Sequence, residues 1–103
     1  MKIMISQPMN GKTTEQIMNE RKDIVIKLEA EGHTVVDTVF AEESPADCDR
    51  ALFYLAKSID AMSKVDAVLF MRGWQEARGC AIEHLIADAY DKRRLYEADE
   101  TEL

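Results

Sequence analysis

Ala67-Val68-Leu69-Phe70-Met71 is an unbroken apolar run well inside the chain. A strand without polar alternation must be covered on both faces, as a central strand of a parallel sheet is. What flanks the run decides whether such a sheet can form. Ile3 to Ser6 reads as a short buried strand, followed by the turn-rich Gln7-Pro8-Met9-Asn10-Gly11-Lys12. Thr13 and Gln16 stand at the spacing of a capping box. Ile17, Ile24, Val25 and Leu28 continue at helical spacing, and Gly32 is placed to end that helix in a left-handed conformation. Thr34 to Val39 is a β-branched run and predicts a second strand. Ala41 to Asp49 is an acidic loop containing Pro45. Ala51, Leu52, Leu55, Ile59 and Met62 mark a second helix. After the central run, Arg72 to Arg78 forms a loop around Gly73 and Trp74. Ile82, Leu85, Ile86 and Ala89 mark a third helix, and Arg94-Leu95-Tyr96 a short edge strand.

Strands and helices alternate throughout, which implies right-handed crossovers and a parallel sheet. The expected fold is α/β: a single Rossmann-like or flavodoxin-like domain over residues 1–97, with an acidic, frayed tail at 98–103. Four mostly parallel strands should be flanked by helices on both faces, in an order resembling 2-1-3-4. Ligands of such sheets bind beyond the carboxyl ends of the strands. The loops Gln7 to Lys12 and Arg72 to Gly79 are therefore the ones that matter most.

Composition narrows the partners. A chain of 103 residues holds one small domain, and 47% hydrophobic residues suffice for a core. The formal net charge of -7 argues against a nucleic-acid polymer as partner, yet a few local cations can still hold a small anion. No apolar stretch approaches the roughly 20 residues that span a bilayer, so no membrane partner is expected. The first apolar run is cut short by Ser6, Gln7 and Asn10, too early for a signal peptide. Cys48 and Cys80 fit no zinc spacing and read as reduced thiols of a cytoplasmic protein. The small size, with Phe53, Tyr54 and Trp74 in excess of what such a core absorbs, predicts a homo-oligomer, at least a dimer.

The two loops hold the candidate chemistry. Gly11 allows close backbone approach, and the helix start after it offers N–H groups to an anion, with Lys12 adding charge. An ordinary loop-to-helix turn has the same look. Glu83 falls in or near the first turn of the third helix, where the helix dipole favours its ionised form. An ionised carboxylate in a cleft can act as a nucleophile, and a helix-stabilising glutamate is the commoner alternative. His84 is a proton donor or a partly buried structural residue. Trp74 stacks on a base or closes the pocket, or else packs under its own loop or at a subunit contact. Cys80 is a thiol at a helix start or a small buried filler.

Three segments carry a resemblance. Ile3-Met4-Ile5-Ser6-Gln7-Pro8-Met9-Asn10-Gly11 matches a strand and Gly-containing loop, Val65-Asp66-Ala67-Val68-Leu69 an apolar strand, and Gly79-Cys80-Ala81-Ile82-Glu83 a G-x-x-x-E helix opening. In that order and spacing, from Lys2 to about Glu97, they resemble the nucleoside 2-deoxyribosyltransferase superfamily, in its small phage and bacterial branch. The resemblance implies glycosyl chemistry, with the motif carboxylate attacking C1′ of a deoxyribosyl group, as in a retaining glycosidase. That role falls on Glu83, and the assisting aspartate of the transferases falls on Asp60. The implied ligand is a nucleoside or nucleotide. Ser6, Gln7, Pro8, Met9, Asn10, Gly11, Lys12, Arg72, Gly73, Trp74, Arg78 and Gly79 are expected around it, with Lys12, Arg72 or Arg78 on any phosphate. No metal or organic cofactor is implied. Met4 replaces a strand tyrosine of the family, and Ala77 an aspartate or serine. Two functions follow: an N-glycosidic-bond transferase or hydrolase, and a non-catalytic protein that sequesters or senses a nucleotide-derived ligand.

Overall fold

A computed structural model describes residues 1–39 and 43–97. The elements run β1 (Lys2–Ser6), α1 (Thr14–Ala30), β2 (Thr34–Val36), α2 (Arg50–Met62), β3 (Ala67–Phe70), α3 (Arg78–Ala89) and β4 (Arg93–Tyr96). The four strands form one sheet in the order β2-β1-β3-β4, and every neighbouring pair is parallel. This is the α/β architecture and strand order that the alternation predicts. Phe40 to Glu42, which include the start of the expected acidic loop at Ala41, and the tail from Ala98 lie outside the described residues.

The core divides as a two-sided sheet requires. Ile3, Ile5, Ala67, Leu69 and Met71 face α1, where Ile24 and Leu28 meet them. Met4, Val68 and Phe70 face the other way, onto Met62, Val65 and Ala87. Alternate residues of β1 and β3 thus point to opposite layers, and both strands are apolar on both sides because both layers are helical. Met4 is fully buried in the second layer.

Local chemistry explains the ends of the elements. Thr13 caps α1 by accepting from the Gln16 N–H, and the Gln16 side chain accepts from the Thr13 N–H, as its spacing predicts. Gly32, with φ 90, follows α1 in the expected left-handed region. The second strand is shorter than Thr34 to Val39. Asp37 accepts from the Val39 N–H, and the Thr38 hydroxyl donates to the Ile5 carbonyl, which takes both residues out of the ladder. Among the apolar markers of α2 and α3, Met62 is buried as expected but Leu52 and Leu85 face outward. Leu52 is 61% exposed and Leu85 67% exposed, whereas the buried residues of α3 are Cys80, Glu83 and Ala87. Among the described residues, no helix is long and apolar enough to cross a membrane.

Candidate functional site

The sheet grows from β1 to β2 in one direction and from β3 to β4 in the other, so the chain order reverses between β1 and β3. The connections leaving these strands pass to opposite faces, and a crevice opens beyond their carboxyl ends. Ser6, the last residue of β1, is in register with Phe70, the last of β3. Both loops singled out from the sequence begin there.

Ser6 donates its hydroxyl to Glu83 Oε2 at 2.7 Å, and the contact is buried. The Ser58 hydroxyl of α2 is near enough to favour the Glu83 anion. Glu83 is only 7% exposed. Burial pushes its carboxyl above the usual range, and the two hydroxyl donors pull it partly back. Glu83 is the sixth residue of α3, so it lies in the second turn, not the first. Its anion is stabilised by Ser6 and Ser58 and less by the helix N-terminus than its sequence position suggests, because dipole effects fade beyond the first turn. Cys80, one turn earlier, is buried, and burial pushes its thiol up to about 11. It is a packed thiol, not a reactive one.

On the α1 side of the two strand ends lies a shallow cleft of about 230 Å³, lined by Gln7, Pro8, Lys12, Glu20, Met71, Arg72 and Glu97, and Ser6 and Glu83 are not part of its lining. Gly73, with φ 88, turns the chain out of β3, and a Cβ there would stand 3.7 Å from the Pro8 ring. The two loops therefore meet at Pro8 and Gly73. Gln7 is buried, with its Nε2 donating to the Ile17 carbonyl at 2.9 Å and its Oε1 accepting from Arg21 Nε at 2.8 Å. Arg21 is itself buried, bonds the Thr38 hydroxyl, and has its pKa lowered by desolvation against the pull of Asp37.

The helix start after Gly11 is not an open anion site. The capping box takes the N–H groups of Thr13 and Gln16, and Lys12 pairs with Glu20 at 3.0 Å. Met9, Asn10 and Gly11 do not line the cleft, and Asn10 and Gly11 are exposed. Arg78 and Gly79 open α3, exposed and outside the cleft lining. The indole of Trp74 stacks on His84, with centroids 4.1 Å apart, and packs against Phe70. His84 Nε2 is 2.7 Å from the Tyr96 hydroxyl, and burial followed by the Arg94 charge lowers its pKa. His84 is thus a structural residue, the alternative open to it from the sequence, and Trp74 packs on α3 and β4 rather than under its own loop.

Asp60 is not part of this cluster. Ser58 faces Glu83, and Asp60, two residues further on, lies about 200° around the helix. It is exposed and paired with Lys64 at 3.0 Å. Sequence reasoning missed Ser58, Arg21, Glu20 and Glu97. Among the described residues, no group of His, Cys, Asp and Glu is placed to hold a metal ion.

The family described as Domain of unknown function (DUF4406) matches residues 1–96, and the chain belongs to it. No curated protein matches the chain.

Proposed function

We propose that this DUF4406 member binds a nucleoside or nucleoside monophosphate in the crevice between β1 and β3 and breaks its N-glycosidic bond with Glu83 as nucleophile. The observation that carries the reading is the Glu83 carboxylate, buried and held by the hydroxyl of Ser6 at the end of β1 at 2.7 Å. The Ser6 hydroxyl orients the carboxylate, which is the positioning that attack on a sugar carbon needs. A Glu83 oxygen forms a bond to C1′ as the C1′–N bond breaks, and the electron pair leaves on the base, which takes a proton from water. Water or a second base then attacks C1′, frees the sugar and restores the carboxylate. Hydrolase and transferase differ only in this last acceptor, and neither requires a metal or organic cofactor. The resemblance to nucleoside 2-deoxyribosyltransferases supports the assignment, and Ser6 and Ser58 supply hydroxyl contacts where Met4 has none to offer.

A second reading is a binder that sequesters a nucleotide-derived ligand. The position of Asp60 favours it, since the residue expected to assist the chemistry faces solvent. The experiment that separates them is chromatography of free base released from deoxynucleosides and deoxynucleotides, with and without acceptor base. The enzyme should release base, and Glu83→Gln should lower turnover about 10³-fold or more while binding persists. Turnover that survives Glu83→Gln would remove the nucleophile assignment, and tight binding with no base release would establish the binder. We place the protein in the cytoplasm, where the unbridged thiols of Cys48 and Cys80 remain reduced, and expect it to self-associate.

A further inference from the structure

The cleft beyond the carboxyl ends of β1 and β3 contains pairings that the glycosidic chemistry does not use. Lys12 Nζ lies 3.0 Å from each oxygen of the Glu20 carboxylate. The backbone N–H of Arg72 donates to Glu97 Oε1 at 2.8 Å. Gln7 Nε2 is 3.3 Å from Glu20 Oε1. All of these residues line the same cleft.

An ammonium, a carboxamide N–H and a main-chain N–H are the donors that anionic oxygens of a phosphate or a carboxylate accept from. Here they gather at the carboxyl ends of the two central strands, and each already serves a carboxylate of the chain itself. We propose that this cleft is a phosphate subsite, and that Glu97 and Glu20 occupy it as internal stand-ins until the phosphate of a nucleotide displaces them. The proposal takes its ligand class from the nucleotide reading above. A phosphate carries about -1.5 to -2 charge at pH 7 and three acceptor oxygens, so it can replace two carboxylates at once. An uncharged nucleoside has no such group and leaves Glu97 on the Arg72 N–H. Glu97 is thereby a specificity-determining residue: it sets how strong an anion must be to open the cleft. The net charge of -7 works in the same direction, repelling weakly held anions.

The test is a titration of the full chain with inorganic phosphate at pH 7, followed through the backbone amide resonance of Arg72 in ¹⁵N–¹H spectra. Dispersed spectra confirm that each variant is folded. Phosphate should move the Arg72 resonance in the wild-type protein. Glu97→Ala should bind phosphate about fivefold or more tightly, and Lys12→Ala should bind it more weakly by a similar factor, the scale of about 1 kcal/mol. An Arg72 resonance that phosphate leaves unmoved in both wild type and Glu97→Ala would overturn the proposal. So would a Glu97→Ala affinity equal to or below that of wild type, which would make the two pairings simple loop ties. Phosphate binding requires neither a base nor base release. Expected phosphate behaviour without glycosidic turnover would leave the subsite standing and the enzyme reading lost, and turnover with an unmoved Arg72 resonance would do the reverse.

Discussion

Two opposed effects act on one carboxylate at Glu83. Burial disfavours its charged form, and hydrogen bonds from Ser6 and Ser58 favour it, with burial the larger. The folded protein therefore binds this proton more tightly than the unfolded chain does. For a raised pKa, the stability tied to the proton is complete below the ordinary glutamate value of 4.5 and is lost as pH rises through the higher folded value. At neutral pH the folded state carries the cost of a buried anion, the kind of strain found at functional sites. Glu83→Gln removes that cost and keeps the shape. The variant should melt above wild type at pH 7, and the difference should shrink to nothing by about pH 4. Paired calorimetric scans across that range check it. A variant that melts lower at pH 7 would mean that the two hydroxyls outweigh burial.

Each helix carries one polar residue within its inward-facing stripe. In α1 the buried positions are Ile17, Arg21, Ile24 and Leu28, and the arginine stands among apolar neighbours. In α3 they are Cys80, Glu83 and Ala87. In α2, Ser58 lies between Leu55 and Met62 at the same spacing and reaches Glu83. A polar residue in such a stripe was legible in principle, because helical spacing alone puts Arg21 in line with Ile17, Ile24 and Leu28. The capping box of α1 and the doubly apolar β3 were legible because their signals are local. The inward faces of α2 and α3 were not, because each helix carries apolar residues on more than one side. Leu52 and Leu85 match helical periodicity as well as the true stripe does, and only packing against the sheet decides between them. Glu20 and Glu97 were hidden for another reason, since exposed charges at distant positions give no spacing signal. The stripe argument makes a prediction for α1. Arg21 fastens Gln7 and Thr38, which lie beyond the ends of β1 and β2. Arg21→Met leaves the Gln7 Oε1 buried without its donor and should cost about 1–3 kcal/mol in urea unfolding. A cost near zero would show that apolar packing replaces the network.

At the scale of the whole molecule, strand order decides which residues meet. A parallel sheet that reverses its winding between β1 and β3 brings Ser6, Gln7, Arg72 and α3 to one edge, although more than sixty residues separate Gln7 from Arg72. The same topology limits what the domain can cover by itself. Three helices must shield both faces of four strands, with α2 and α3 side by side on the second layer. Their outward sides leave Leu52 at 61% and Leu85 at 67% exposed. Domains of this size bury a modest fraction of their surface, and association is a common remedy. Leu85 lies two residues beyond Glu83, about 200° around the helix, and so points away from the site. A contact through this face would leave the crevice open to ligand. Light scattering at micromolar concentration should therefore give at least twice the chain mass. Leu85→Glu, which puts a charge on the outer face without touching the core, should weaken association about tenfold or more while base release or ligand binding per chain stays unchanged. A wild-type monomer at high micromolar concentration would reject the assembly. An oligomer indifferent to Leu85→Glu would move the contact to another face, such as the exposed side of α1, where Ile26 is also uncovered.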